Sequence, residues 1–137
     1  MRLVTLKLPL RIVDDDDLLR VSEANPGYQF EREADGTLTA SATHADSGAQ
    51  SAEAVYQLKV YAKRCGGRVF DSSTGFRIGR AVKSPDAAWV SEANVARLAV
   101  ERRPGFWPER PDVAIEIRSA SDSFAALVRK LHFYVKN

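Results

Sequence analysis

Short runs that alternate apolar and polar residues are interleaved with segments whose apolar residues recur three and four apart, and this mixture most restricts the fold. Tyr28–Arg32 alternates, Ala34-Asp35-Gly36 turns, and Thr37–Ser41 returns, which is a hairpin pattern. After a polar stretch from His44 to Gly48, residues 51–65 set Val55, Leu58, Ala62 and Cys65 on one helical face. Gly66-Gly67 supplies the stop, and the stripe makes Cys65 a core residue rather than a nucleophile. Arg68–Phe70 and Phe76–Ile78 flank Asp71-Ser72-Ser73-Thr74-Gly75 as a second hairpin with a longer loop. Ala87–Val90 is a further strand, and Ser91 caps a helix over 92–101 with Val95, Leu98 and Ala99 as its apolar side. Residues 112–118 form a strand, and Asp122 caps a last helix over 122–136. Strands and helices therefore alternate, in an α/β or α+β chain.

The N-terminal part is less regular. Residues 3–9 suit a short strand or an extended arm. Asp14 to Asp17 sit where the first turn of a helix favours carboxylates, and read as a solvated cap. Leu18, Leu19 and Val21 give that helix an apolar face, and Asn25-Pro26-Gly27 ends it. With 137 residues, the chain has room for one domain: an arm and short helix over 1–24, and a core over 25–137.

Composition excludes some classes. Hydrophobic content is 45% and charged content 28%, which is globular rather than disordered. No apolar run approaches the roughly 20 residues that cross a bilayer, and the start is too charged for a secretory signal. The single cysteine allows no internal disulfide and no zinc knuckle, which fits a soluble chain in the reducing cytoplasm. Twenty basic against eighteen acidic residues give a net charge of +2, which neither demands nor excludes a nucleic-acid partner. His44 and His132, far apart in sequence, support neither a catalytic triad nor a zinc site.

The chemistry is concentrated in Val113-Ala114-Ile115-Glu116-Ile117-Arg118. At a period of two, Glu116 and Arg118 leave the strand on one face. That is either a solvated outer face carrying a weak ion pair or a functional pair. Asp86 favours the second, because it opens another apolar strand directly after Pro85. Two carboxylates on neighbouring strands suit a hard divalent cation such as magnesium, which takes oxygen ligands and keeps several waters. Such an ion activates water and neutralises charge on a phosphoryl group. Glu31 and Glu53 are candidate third acids that otherwise read as surface residues. Asp71–Gly75 reads as a turn rather than a phosphate loop. Trp107 lies in a loop, Pro104-Gly105-Phe106-Trp107-Pro108, where its ring either stacks on a base or packs back onto the domain.

Ser84-Pro85-Asp86 followed by Glu116-Ile117-Arg118 resembles the PD-(D/E)XK motif of the restriction-endonuclease-like nucleases. The likeness extends to the Uma-two family within that superfamily. It rests on Asn25–Glu31, Val69–Phe76, Ser84–Ala88, Glu116–Ser121 and the Lys130-x-x-x-Tyr134 spacing of the last helix, in that order along residues 22–137. The resemblance implies an α/β fold with a mixed central sheet flanked by the 51–65 and 122–136 helices. It implies a magnesium- or manganese-dependent endonuclease acting on DNA. Asp86 and Glu116 would be metal ligands, with the carbonyl of Ile117 as a third. Arg118 stands where the superfamily has lysine; a guanidinium clamps phosphate but does not act as a base. Lys130, at the border of its helix's apolar stripe, is the candidate replacement, either reaching over the site or snorkelling into water.

Family members usually continue into further strands, so the expectation here is an uncovered sheet edge and apolar helix face, and hence a homo-oligomer. The alternative function is a nuclease-fold protein with impaired catalysis, serving as a nucleic-acid-binding or assembly module.

Overall fold

The computed structural model describes residues 14–42, 45–99, 105–119 and 122–137. The expected arm at 3–9, His44 and the end of the 92–101 helix lie outside them. Along the chain the elements are α1 (Asp15–Ala24), β1 (Tyr28–Arg32), β2 (Leu38–Ala42), α2 (Ala45–Cys65), β3 (Arg68–Asp71), β4 (Phe76–Ile78), β5 (Ala81–Lys83), β6 (Ala87–Val90), α3 (Glu92–Ala99), β7 (Val113–Ile115) and α4 (Phe124–Lys136). The α/β class is as expected. In place of one mixed sheet, the described strands form two antiparallel sheets, ordered β2-β1-β5-β4 and β3-β6-β7. An isolated parallel bridge joins Phe76 to Trp107.

The acidic run starts α1 as its sequence dictates: the Asp14 carboxylate accepts from the Asp17 amide at 2.9 Å. It is more than a solvated cap, however. Asp15 takes Arg32 of β1 at 2.5 Å, and it takes the Arg77 Nε of β4 at 2.6 Å. Leu18 and Val21 then bury against Phe30 and Val82, which fixes α1 on the four-stranded sheet.

Strand β6 is buried on both faces, and period two divides its work. Ala87 and Trp89 pack with Leu58, Val55 and Ala62 of α2. Ala88 and Val90 turn the other way, to Phe76, Ile78, Leu98, Trp107 and Tyr134. This second cluster takes side chains from both sheets and from α4, and so joins the layers.

Four local expectations change. Strands β3 and β4 do not pair with each other: β3 lies against β6 and β4 against β5, in different sheets. The hairpin partner of β4 is β5, reached through the two-residue turn Gly79-Arg80 with Gly79 at φ +60°. Helix α2 starts at Ala45, so Ala45 to Gly48 of the expected polar loop form its first turn. Cys65, in the last turn of α2, is exposed rather than core, because the helix's buried side is carried by Leu58. Ser123, not Asp122, caps α4, accepting from the Ala126 amide at 3.4 Å.

Trp107 packs back onto the domain. Its ring centroid lies 5.0 Å from that of Phe70, and its backbone pairs with Gly75 and Arg77. On the outside, Val113, Phe124, Leu131 and Val135 are exposed, so the stripe of α4 is only partly covered. Among the described residues no helix is long and apolar enough to cross a membrane.

Gly67, between α2 and β3, has φ +90°, and a Cβ there would lie 2.4 Å from the Val90 carbonyl oxygen. Gly67→Ala should therefore lower the unfolding free energy by roughly 2 kcal/mol or more. Gly48→Ala, within α2 and in open space, should raise it by roughly 0.5–1 kcal/mol. Urea unfolding of the two variants checks both values.

Candidate active site

Register brings the two acids together. Strands β6 and β7 pair antiparallel with Ala87 opposite Ile115. Asp86 directly precedes the first of these paired residues and Glu116 directly follows the last, so the two acids leave the same end of the β6–β7 ladder. Strand β7 ends at Ile115, so Glu116 and the residues after it lie beyond the ladder. The chain is held there from the side: the Ile117 amide donates to Asp86 Oδ2 at 2.6 Å.

Both acids line a cavity of about 1230 Å³. Its other walls come from the four-stranded sheet, α2 and α4, and include Glu31, Lys83 and Lys130. Lys130 lies between two carboxylates, with Nζ 2.8 Å from Glu31 Oε1 and 2.9 Å from Glu116 Oε1. The Tyr134 hydroxyl, one turn along α4, donates to the same Glu116 oxygen at 3.0 Å. Glu31 is held further by the Ser84 amide at 2.6 Å, and Lys83 is 3.9 Å from its other oxygen. Lys83 also pairs closely with Glu33 and lies 5.5 Å from the centre of the Phe133 ring. The result is a chain of alternating charge, Glu33–Lys83–Glu31–Lys130–Glu116, that crosses from one sheet to the other.

Arg118 is elsewhere. It is exposed, its Nε donates to the Asp122 carbonyl at 3.4 Å, and it is not among the residues lining the cavity. The period-two argument that put Arg118 beside Glu116 fails because the strand stops before either residue. Ile117 lines the cavity. Glu53 lies on the exposed side of α2, bonded to Gln57 at 2.6 Å, and His132 is exposed on α4. Asp71 lines the cavity but chiefly holds its own turn, accepting from the Ser73 amide at 3.0 Å. Sequence reasoning missed Lys83 and Glu33, used Tyr134 only for its spacing from Lys130, and left Glu31 between a third acid and a surface residue. The signal available was Lys83 itself, a charge directly after Ala81-Val82 and just before Pro85-Asp86.

The family model described as "Putative restriction endonuclease", Uma2, matches residues 15–137. The chain belongs to the Uma2 family. Among solved structures, it is similar to one titled as a putative nuclease belonging to DUF820 from Anabaena variabilis ATCC 29413. That likeness has a TM-score of 0.68 at 18% identity, and covers 92% of this chain and 69% of the other. It establishes the restriction-endonuclease-like fold. No curated protein matches the chain.

The metal that a Uma2 nuclease implies can be tested against the donors present. Among the described residues, no group of three or more His, Cys, Asp or Glu stands together as a ready cage. Magnesium does not need one: it commonly takes one or two carboxylates and completes its shell with water and substrate phosphate. Asp86 and Glu116, hard oxygen donors that line one roomy cavity, fit that pattern.

Burial pushes the Glu116 carboxyl up to about 7, with the Glu31 and Asp86 charges acting in the same direction and Lys130 against them. Burial also raises the Tyr134 hydroxyl, which therefore stays a donor. Burial pulls Lys130 down, but Glu31 and Glu116 together outweigh it and hold the ammonium above its ordinary value. In the unfolded chain Glu116 titrates near 4.5. Between that value and about 7 the folded state keeps a proton that the unfolded state releases. Stability of the metal-free protein should thus fall as pH rises through this window, by up to roughly 3 kcal/mol. Glu116→Gln should remove that dependence, as denaturant midpoints measured at several pH values will show.

Proposed function

We propose that this Uma2 protein is a magnesium- or manganese-dependent endonuclease that hydrolyses DNA phosphodiester bonds in the cytoplasm. The observation that carries the proposal is the charge of the cavity. Glu31, Glu33, Asp71, Asp86, Glu116 and Asp122 line it, against Lys83, Arg129 and Lys130. A wall with this excess of carboxylates repels a phosphate diester unless a further cation stands between them. Asp86 and Glu116 would hold that cation, with the Ile117 carbonyl as a third donor. When bound, such an ion supplies Lewis-acid stabilisation and a more acidic water.

The chain's own residues do the rest. The Ile117 amide fixes one Asp86 oxygen, and Tyr134 fixes one Glu116 oxygen, so both carboxylates are oriented before a ligand arrives. Lys130, one of three cations that line the cavity, is the one that would meet a phosphate oxygen beside Glu116, the role assigned by resemblance to it or to Arg118. In the reaction, a water oxygen bonds to phosphorus and gives up a proton to solvent, while the bond from phosphorus to one ester oxygen breaks and that oxygen takes up a proton. Arg118, on the exposed side, is left to contact DNA outside the reacting group.

Asp86→Asn removes a charge without removing volume, so it should abolish divalent-dependent cleavage while leaving the circular dichroism spectrum unchanged. Lys130→Met should lower the cleavage rate at least about a hundredfold, and Arg118→Ala less than about tenfold. Cleavage that survives Asp86→Asn in nuclease-free preparations would place the activity elsewhere. Binding of DNA with no cleavage in magnesium or manganese would favour the alternative, a nuclease-fold binding module.

The expected self-association has its support in Val113, Phe124, Leu131 and Val135, which form exposed apolar surface on β7 and α4. Sedimentation at micromolar concentration should give a mass of at least two chains. A stable monomer would remove this part of the proposal.

A further inference from the structure

We infer that Lys130 is the resident counter-ion of the cavity and the group that an arriving divalent cation must displace. The inference rests on reading the cavity as a metal-dependent site, and it adds how that site is regulated. The Lys130 ammonium already occupies the space between Glu31 and Glu116, 2.8 Å and 2.9 Å from one oxygen of each. A cation bound to Glu116 from the cavity competes for the same oxygen, which also accepts from Tyr134.

The cavity holds two lysines, and only one can yield. Lys83 has a side chain 4% exposed, is paired with both Glu33 and Glu31, and is covered by the Phe133 ring. Lys130 is 23% exposed, on a helix face that opens into the cavity. Its charge already acts on the carboxyl of Asp122, which lines the same cavity, so a displaced ammonium keeps an anionic neighbour. A phosphate in the cavity would be a stronger one. Lys130 therefore weakens divalent binding to the free protein.

The test is calorimetric titration of manganese into the metal-free full chain without nucleic acid. Lys130→Met should bind at least about tenfold more tightly than the wild type, because a competing charge is gone. Lys130→Gln serves as the second variant if Lys130→Met does not fold. Lys83→Met should show no such gain. A wild-type readout needs no mutation: in nitrogen-15 NMR, the Lys130 ammonium signal should shift on adding magnesium while that of Lys83 does not. Equal affinity in the wild type and the Lys130 variants, or an unmoved Lys130 signal at saturating magnesium, overturns the counter-ion role alone. Absence of divalent binding in all of these proteins overturns the metal site, and the inference with it.

Discussion

The carboxylate of Glu31 is where charge ties the four-stranded sheet to α4, beside the apolar cluster that joins the two sheets. It stands on β1, yet its oxygens meet the Ser84 amide ahead of β6 and the Lys130 ammonium on α4. A carboxylate taken out of water is costly unless cations and donors accompany it. Lys83 and Ser84 come from the neighbouring strand and its end, and Lys130 from α4, so α4 must dock on the sheet before Glu31 can be buried. Lys83 and Glu33 extend the same logic on one side, Glu116 on the other. The interaction is thus structural and chemical at once: the charges that tie β1 to α4 also line the cavity.

Strand lengths decide where the chemistry sits. Strand β6 is apolar on both faces and has no place for a charge, so Asp86 falls immediately before it. Strand β7 is three residues long, and Glu116 falls immediately after it. Because the strands run antiparallel, those two ends are the same edge of the sheet. Trp89 shows how tightly the rest is fixed: its ring packs on α2, and its indole N–H donates to the Gly66 carbonyl at 3.0 Å.

Much of this was legible in the sequence where the signal is local. The α1 cap, the β1–β2 hairpin and the strand after Pro85 follow from spacing and short-range turn chemistry, whereas the choice of Asp86 with Glu116 as candidate acids leaned on the resemblance to the PD-(D/E)XK motif. What was not legible depends on partners distant in the chain. Strand β5 has three residues, too few for a pattern, and its pairing with β4 displaced the expected β3–β4 hairpin. Arg118 was placed by a periodicity that ends at Ile115. Cys65 belongs to an apolar stripe in which Leu58 alone is buried. Lys83 and Glu31 look like surface residues until the fold sets them 3.9 Å apart.

The most direct measurement is a double-mutant cycle on Glu31 and Lys130, read as unfolding free energy of Glu31→Gln, Lys130→Met and the pair together. If their contact ties the layers, each single variant should be strongly destabilised and the double variant much less than the sum, with a coupling of at least about 1.5 kcal/mol. Additive effects, with a coupling near zero, would contradict the account and leave the layers held by apolar packing alone.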